Sequence, residues 1–190
     1  MRPTLAAACA ALTANAMPAF GQLETYTVDP RHTFPAYEVS HFGYSLQRGR
    51  FNKTSGKISL DVAARKCGAD IAIEVASVSS GVDKLDEHLL AEDFFNAAKH
   101  PLITFKADSC AFEGDKVKSA TGRLSMNGVT RPVTLVAHMF QCAPNPMNKA
   151  KQCGADLEAT IRRSDYGMSY ALPALGDEVR LRINVEATED

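Results

Sequence analysis

Apolar and polar residues alternate one by one through most of this chain, and this period of two constrains the fold more than any other feature. Within 178–187, Val179 and Leu181 share one face while Arg180 and Arg182 share the other. Such alternation is typical of a strand with one sheltered face and one wet face. Similar runs recur at 58–62, 71–75, 102–107 and 133–140. The sequence therefore predicts an all-β protein.

The stretch 32–51 carries the same pattern and adds glycines that interrupt it. One face of its predicted strand is formed by Pro35, Tyr37, Val39 and His41. Gly43 and Gly49 follow, and glycines inside strands are typical of the bulges and bends that curl a sheet into a barrel. The interior of a curled sheet of this size has to be occupied by something. What occupies it is the functional question.

One segment departs from the strand pattern. In 83–99, Leu85, Leu89 and Leu90 have helical spacing, which predicts a short amphipathic insertion of one or two helices. Elsewhere, Asn127-Gly128 is a strong signal for a tight hairpin. We count about eight strands, which predicts one antiparallel up-and-down β-barrel of the size that holds a single small ligand.

The first residues differ in kind from the rest. Arg2 precedes an Ala- and Leu-rich run, and Ala19-Phe20-Gly21 ends in the small-residue pattern of a cleavage site. These features predict a secretory signal peptide at 1–21, a mature domain at 22–190, and export of the mature protein. No segment of the sequence is long and apolar enough to predict a stable membrane span.

Cysteine usage fits an exported protein. Removal of the signal peptide would leave Cys67, Cys110, Cys142 and Cys153, an even number that suggests disulfides and allows three pairings. The two later cysteines flank a stretch containing proline and lysine that resembles a stapled loop, so we predict Cys142–Cys153, with Cys67–Cys110 by elimination. A thiolate metal site is not expected, because the sequence has no Cys-x-x-Cys pair.

Other function classes find little support in the sequence. A net charge of -1 does not favour nucleic acid, and the arginines that could contact it are few and scattered: Arg48, Arg50, Arg162 and Arg163. There is no Gly-x-Ser-x-Gly elbow and no paired-histidine zinc motif. We therefore predict no catalytic residue and no metal site.

Several motifs together resemble those of the YceI-like, polyisoprenoid-binding family. They are Asp29-x-x-His32, Tyr37-x-Val39-x-His41-x-Gly43, Gly49-x-Phe51, Asp86-x-His88-Leu89, Asp93-Phe94-Phe95-Asn96, His100-Pro101-x-Ile103-x-Phe105, the run from Gly122 to Val133, and Arg163-x-Asp165-Tyr166-Gly167. The resemblance covers roughly residues 25 to 187 and lies in the order and spacing of the motifs. Thr33, Tyr37 and His100 depart from the residues common in the family.

The resemblance implies a lipocalin-like antiparallel barrel with an apolar tunnel that binds a chain-like amphiphile. The expected function is a periplasmic binding or carrier protein for an isoprenoid quinone, a polyprenyl compound or a similar lipid. No other cofactor is expected, and the chain could also form a homodimer. The alternatives are an isomerase- or cyclase-type enzyme acting on such a lipid, with His41 as acid or base, and an envelope interaction module without a ligand.

An isoprenoid tail would need a dry apolar sheath. The candidate sheath residues are Tyr37, Val39, Leu89, Phe94, Ile103, Phe105, Leu124, Met126, Leu135 and Met139. His41 is the candidate for hydrogen bonding a headgroup, although a structural histidine is an equally simple reading. Asp86 and His88 are expected to tie the insertion to the barrel, and Arg163 and Asp165 to form a structural ion pair.

Overall fold

The computed structural model describes residues 23–190, which form eleven β-strands, one α-helix and two short 3-10 helices. The strands are β1 (Glu24–Val28), β2 (Phe34–His41), β3 (Ser45–Phe51), β4 (Thr54–Asp61), β5 (Lys66–Glu74), β6 (Val78–Ser79), β7 (Leu102–Glu113), β8 (Lys116–Met126), β9 (Val129–Pro144), β10 (Lys151–Arg162) and β11 (Leu175–Glu189). The helix α1 is Asp83–Leu90, and the 3-10 helices are Val75–Ser77 and Arg163–Tyr166. The predicted signal peptide lies outside the described residues.

The sheet closes into a barrel because the last strand pairs with the first. The order runs β1-β4-β5-β7-β8-β9-β10-β11, and β11 then pairs with β1. The long β11 also pairs with β2, which pairs with β3, and β3 with β6. The pairs β1/β2, β3/β4 and β5/β6 thus act as three interrupted strands, and the predicted eight-stranded antiparallel barrel is confirmed.

Glycine residues make two local features of this barrel possible, a tight hairpin and a close approach of two strands. Asn127 and Gly128 have φ of 49° and 74°, the left-handed conformation that a tight hairpin between β8 and β9 requires. Gly56 in β4 has φ of 146°, and a Cβ there would lie 2.2 Å from the carbonyl oxygen of Asp70. No other residue could replace Gly56 without moving β4 away from β5.

Helix α1 packs against the core that the strands enclose. Helix α1 contributes the buried Leu89, and the turns that follow contribute the buried Phe94. Both residues join a core cluster with Phe51 and Phe105 of the strands. Within residues 23–190, no helix has the length and apolar character needed to cross a membrane.

Two disulfides lie together at one end of the barrel. Cys142 and Cys153 face each other across β9 and β10, while Cys67 and Cys110 join β5 to β7. All four cysteines pack against a small buried cluster, which we call the floor, formed by Tyr26, Leu60, Val117 and Ala187. The predicted pairing is confirmed.

Candidate ligand-binding cavity

The barrel encloses a cavity of about 660 Å³, within the range of about 300–1,000 Å³ typical of small-molecule sites. Its wall is mostly apolar because the alternation of each strand turns branched and aromatic side chains inward. Phe105 of β7, Leu124 of β8 and Leu135 of β9 are buried members of this wall. A wall of this composition suits an apolar occupant and offers ordered water few hydrogen-bond partners.

Ten of the eleven residues predicted to contact a ligand line the cavity: Tyr37, Val39, His41, Leu89, Phe94, Ile103, Phe105, Leu124, Met126 and Leu135. Their positions on the inner wall agree with the period-two reading of the strands. Their contact with a ligand stays a prediction.

Met139 is the exception, and its predicted inward orientation is wrong. Its side chain is 53% exposed, although Val133, Leu135 and Ala137 on the same strand point inward. The register between β9 and β10 slips here: Ala137 opposes Leu157, whereas Met139 opposes the adjacent Asp156. The resulting β-bulge inserts one extra residue into β9, so the inward position passes from Met139 to Phe140.

Sequence reasoning also missed part of the wall. The structure adds Phe51, Ile71, Ile73, Phe140, Leu157, Val179, Leu181, Ile183 and Val185 to the lining. The alternation in β5 and β11 carried the signal for Ile71, Ile73 and the four β11 residues. Met168 and Tyr170 also line the cavity, but they lie on an irregular segment for which no period exists.

The two ends of the cavity differ in exposure. At the floor, Tyr26 and Ala187 are each only 1% exposed. At the opposite end, Phe42, Leu85 and Tyr170 line the cavity and are between 37% and 50% exposed. The cavity is therefore closed at the floor and opens at the end that these three residues surround, which we call the mouth.

Aromatic side chains cluster at the mouth. The rings of His88 and Phe94 pack edge to face with centroids 4.9 Å apart, and Tyr170 packs on both. His88 Nε2 lies 3.3 Å from a carboxylate oxygen of Asp93. The cluster joins the helical insertion to the segment after β10, as expected for His88, and it also presents His88 to the cavity.

His41 and Asp86 occupy the same region. The His41 ring lines the cavity and packs edge-on against Phe42, with centroids 4.3 Å apart. Asp86 accepts a hydrogen bond from the backbone N–H of Ser80 at 2.6 Å, which ties α1 to the strand before it. The structural role predicted for Asp86 is confirmed, while the headgroup contact of His41 stays a prediction.

The ion pair predicted between Arg163 and Asp165 gives way to a different arrangement. Arg163 is only 4% exposed, and its guanidinium donates four hydrogen bonds of 2.8–3.0 Å. The acceptors are the backbone carbonyl oxygens of Met168, Tyr170, Leu175 and Gly176. Arg163 thereby fastens the segment that carries Tyr170 to the mouth.

The tyrosine of β2 contributes a neutral polar group to the wall. Burial raises the pKa of Tyr37 to about 12, so its hydroxyl stays protonated at physiological pH. The ring lies over β3, where a Cβ on Gly49 would come within 2.3 Å of the hydroxyl oxygen. Gly49 therefore provides room for the Tyr37 side chain rather than the bend that the sequence suggested.

Among residues 23–190, no group of three or more histidine, cysteine, aspartate or glutamate side chains is arranged to hold a metal ion.

Comparison with known proteins places this barrel in a family. The YceI-like domain family matches residues 26–187. Protein YceI of Escherichia coli is 34% identical over 169 residues, which cover 86% of each chain. The YceI protein of Campylobacter jejuni has a TM-score of 0.71 at 30% identity, covering 80% of this chain and 90% of that chain.

A more distant neighbour shares the fold. A polyisoprenoid-binding domain from Saccharophagus degradans, implicated in plant cell wall breakdown, has a TM-score of 0.66 at 17% identity, covering 89% of this chain and all of that domain. The barrel, its helical insertion and the sequence match over nearly all described residues agree. This chain belongs to the YceI-like domain family.

Proposed function

We propose that this protein is a periplasmic carrier that holds one isoprenoid quinone, polyprenyl compound or similar amphiphilic lipid in its barrel. The observation that carries the proposal is the apolar cavity, closed at the floor and open at the mouth. The polyisoprenoid-binding domain that shares this fold supports the same ligand class.

The energetics of such binding follow from the wall. A hydrocarbon tail gains about 25 cal/mol for each Å² of apolar surface removed from water, without any specific polar contact. A preformed cavity keeps this gain, because little of the protein has to become ordered when the ligand enters. The wall therefore selects for tail length and girth more than for chemical identity.

Binding explains the site better than catalysis does. Acid–base chemistry needs a proton-transferring group held in place by a hydrogen-bonded partner. His41 has an aromatic edge contact with Phe42, and no hydrogen bond from its ring to another described residue is found. His41 therefore lacks the partner that the enzyme alternative would require of it, while the apolar wall around it suits a lipid.

The covalent chemistry supports the proposed compartment. Two disulfides persist where the surroundings are oxidising, as in the periplasm. The predicted signal peptide points to the same compartment. An oligomeric form of the carrier stays a prediction.

The test is native mass spectrometry of the purified mature protein, followed by organic extraction of whatever it carries. We expect one lipid species per chain, and uptake of an isoprenoid quinone by protein stripped of lipid. Two matched variants report whether the lipid lies inside: Leu135→Gln on the inner wall and Val136→Gln, whose side chain is 47% exposed on the outer face.

Leu135→Gln should lower lipid occupancy and Val136→Gln should leave it unchanged, because only the first places an amide in the cavity. A bare polypeptide mass together with no uptake of offered quinone would rule out the carrier function.

A further inference from the structure

Large apolar side chains are exposed around the mouth of the barrel. They lie on the hairpin between β2 and β3, at the start of α1, and on the segment after β10. Their exposed fractions run from 37% to 89%, and we call the set the rim: Phe42, Tyr44, Leu46, Val82, Leu85 and Tyr170. Because Phe42, Leu85 and Tyr170 also line the cavity, the rim continues the apolar wall out to the surface.

Direct contacts join the segments that carry the rim. The backbone N–H of Phe42 donates to the carbonyl oxygen of Ala174 at 3.1 Å, which holds the hairpin to the segment after β10. Tyr170 of that segment packs edge to face on His88 of α1, with ring centroids 5.2 Å apart. The rim is therefore one surface that surrounds the mouth.

Charged residues are absent from the stretches that meet at the mouth. Asp, Glu, Lys and Arg make up 23% of the chain, yet none occurs in 39–47, 75–82 or 166–176. Helix α1, which follows the second stretch, carries three carboxylates and one lysine. An uncharged surface beside a mainly acidic helix suits a partner that is apolar or zwitterionic and offers no attraction to an anionic one.

The tip of the hairpin holds a phenylalanine where the backbone favours another residue. Phe42 and Gly43 have φ of 52° and 74°, close to the 49° and 74° of Asn127 and Gly128 in the other turn. Asparagine enters this left-handed region readily, whereas a bulky residue seldom does. Because folding alone would favour asparagine at this tip, the half-exposed ring of Phe42 points to a functional role.

We propose that the rim docks on the surface of a phospholipid bilayer, with Phe42, Tyr44 and Tyr170 among the lipid headgroups. The choice of a bilayer as partner rests on the carrier function proposed above. A mouth in contact with a bilayer lets a lipid move between membrane and cavity along apolar surface, without exposure of its tail to water. Tyrosine suits this interface because its ring is apolar and its hydroxyl is polar.

The experiment uses phosphatidylcholine vesicles and two single-tryptophan variants of the mature protein. The chain contains no tryptophan, so Tyr44→Trp and Met147→Trp each introduce one fluorescent reporter. The two positions are similarly exposed, at 89% and 93%. Met147 is the matched control because it lies in the loop between β9 and β10 that the Cys142–Cys153 disulfide closes at the floor.

We expect vesicles to shift the emission of Tyr44→Trp to shorter wavelength and to leave that of Met147→Trp unchanged, because only the mouth enters the headgroup region. In vesicle flotation, Tyr44→Ser should lower the partition coefficient of the protein about tenfold, and Met147→Ser should not change it. Phe42→Asn should lower partitioning without lowering the Tm, because it places in this turn the residue that the other turn uses.

The lipid and salt dependence provides a second test. Binding should persist when the salt concentration is raised, and it should not increase when phosphatidylglycerol replaces part of the phosphatidylcholine, because the rim carries no charge. Binding that requires phosphatidylglycerol would contradict the inference.

Absence of wild-type flotation, or equal emission shifts of the two tryptophans, would overturn the inference and leave the carrier function to the native mass spectrometry described above. Self-association that Tyr44→Ser abolishes, without vesicle binding, would also overturn it and assign the rim to a second copy of this chain. Protein that floats with the vesicles but neither carries nor takes up lipid would refute the carrier function and leave the docking surface standing.

Discussion

At the scale of single residues, one buried cation shapes the mouth of the barrel. Burial lowers the pKa of Arg163, yet its guanidinium keeps four carbonyl acceptors around it. The planar fork of arginine can donate in these directions at once, and lysine cannot. The identity of this residue therefore determines how firmly the segment bearing Tyr170 is held.

We predict that Arg163→Lys lowers the free energy of unfolding by about 2–4 kcal/mol, because it leaves buried carbonyls unpaired and a buried charge poorly solvated. Urea unfolding measures this loss. Arg162→Lys is the control, since Arg162 is exposed and should change stability by less than about 0.5 kcal/mol. Equal stabilities of the two variants would contradict the anchoring role.

The bulge in β9 gives a second prediction for single residues. Phe140→Ala should cost about 2 kcal/mol, less than a fully buried phenylalanine because Phe140 is half-buried, and Met139→Ala should be nearly neutral. The same denaturation measurement separates them. The reverse order would place Met139 in the cavity and remove the bulge.

At the scale of elements, the disulfides tie neighbouring strands of the barrel into pairs at the floor. Cys67–Cys110 closes a separation of 43 residues and Cys142–Cys153 one of 11. In the chain-entropy description, a cross-link stabilises the folded state by restricting the unfolded chain, and a longer loop gains more.

Replacing Cys67 and Cys110 together by alanine should therefore lower the free energy of unfolding by about 4 kcal/mol, against about 3 kcal/mol for Cys142 and Cys153. Both double variants are compared by urea unfolding under non-reducing conditions. A larger loss for the shorter loop would show that local strand packing outweighs loop entropy at this end.

At the scale of the whole molecule, hydrogen-bonded carboxylates set the response to acid. Arg31 lowers the pKa of Asp29, Lys151 lowers the pKa of Glu24, and the backbone N–H of Ser164 lowers the pKa of Asp177. Since each carboxyl has its ordinary, higher pKa when unfolded, the unfolded chain binds more protons in acid. Stability is therefore present above about pH 4 and is lost as the pH falls through the folded-state values.

We predict that the urea midpoint is nearly constant from pH 7 to pH 5 and falls steeply below about pH 4. Asp177→Asn removes one of the titrating groups and should make that fall shallower, while Asp115→Asn, in the turn between β7 and β8, is the comparison. A midpoint that stays level down to pH 3 would contradict the assignment.

Much of this architecture could be predicted because it repeats. Alternation in β11 and β5 specifies which side chains face inward, and Asn127-Gly128 marks its hairpin without tertiary information. Met139 shows the limit: alternation from Val133 continues through it, and the bulge arises only from pairing with β10. The alternation of residues within one strand carries no information on the register that pairing with a neighbouring strand imposes.

The polar features of the site were hidden for another reason. Arg163 bonds to backbone carbonyls, which every residue possesses, so no partner side chain marks the interaction in the sequence. The sequence likewise gives no signal that separates two buried threonines: Thr33 Oγ1 hydrogen-bonds the backbone of Glu186, whereas Thr54 Oγ1 has no partner among the described residues.

The placement of both disulfides at the floor has a mechanical consequence. Disulfides cross-link the strands at the floor of the barrel, whereas hydrogen bonds and aromatic packing hold the mouth together. The free energy of local opening should therefore rise from the mouth to the floor. The mouth can then open locally while the floor stays closed. In the proposed carrier, such a gradient would let a lipid pass the mouth without unfolding of the rest of the barrel.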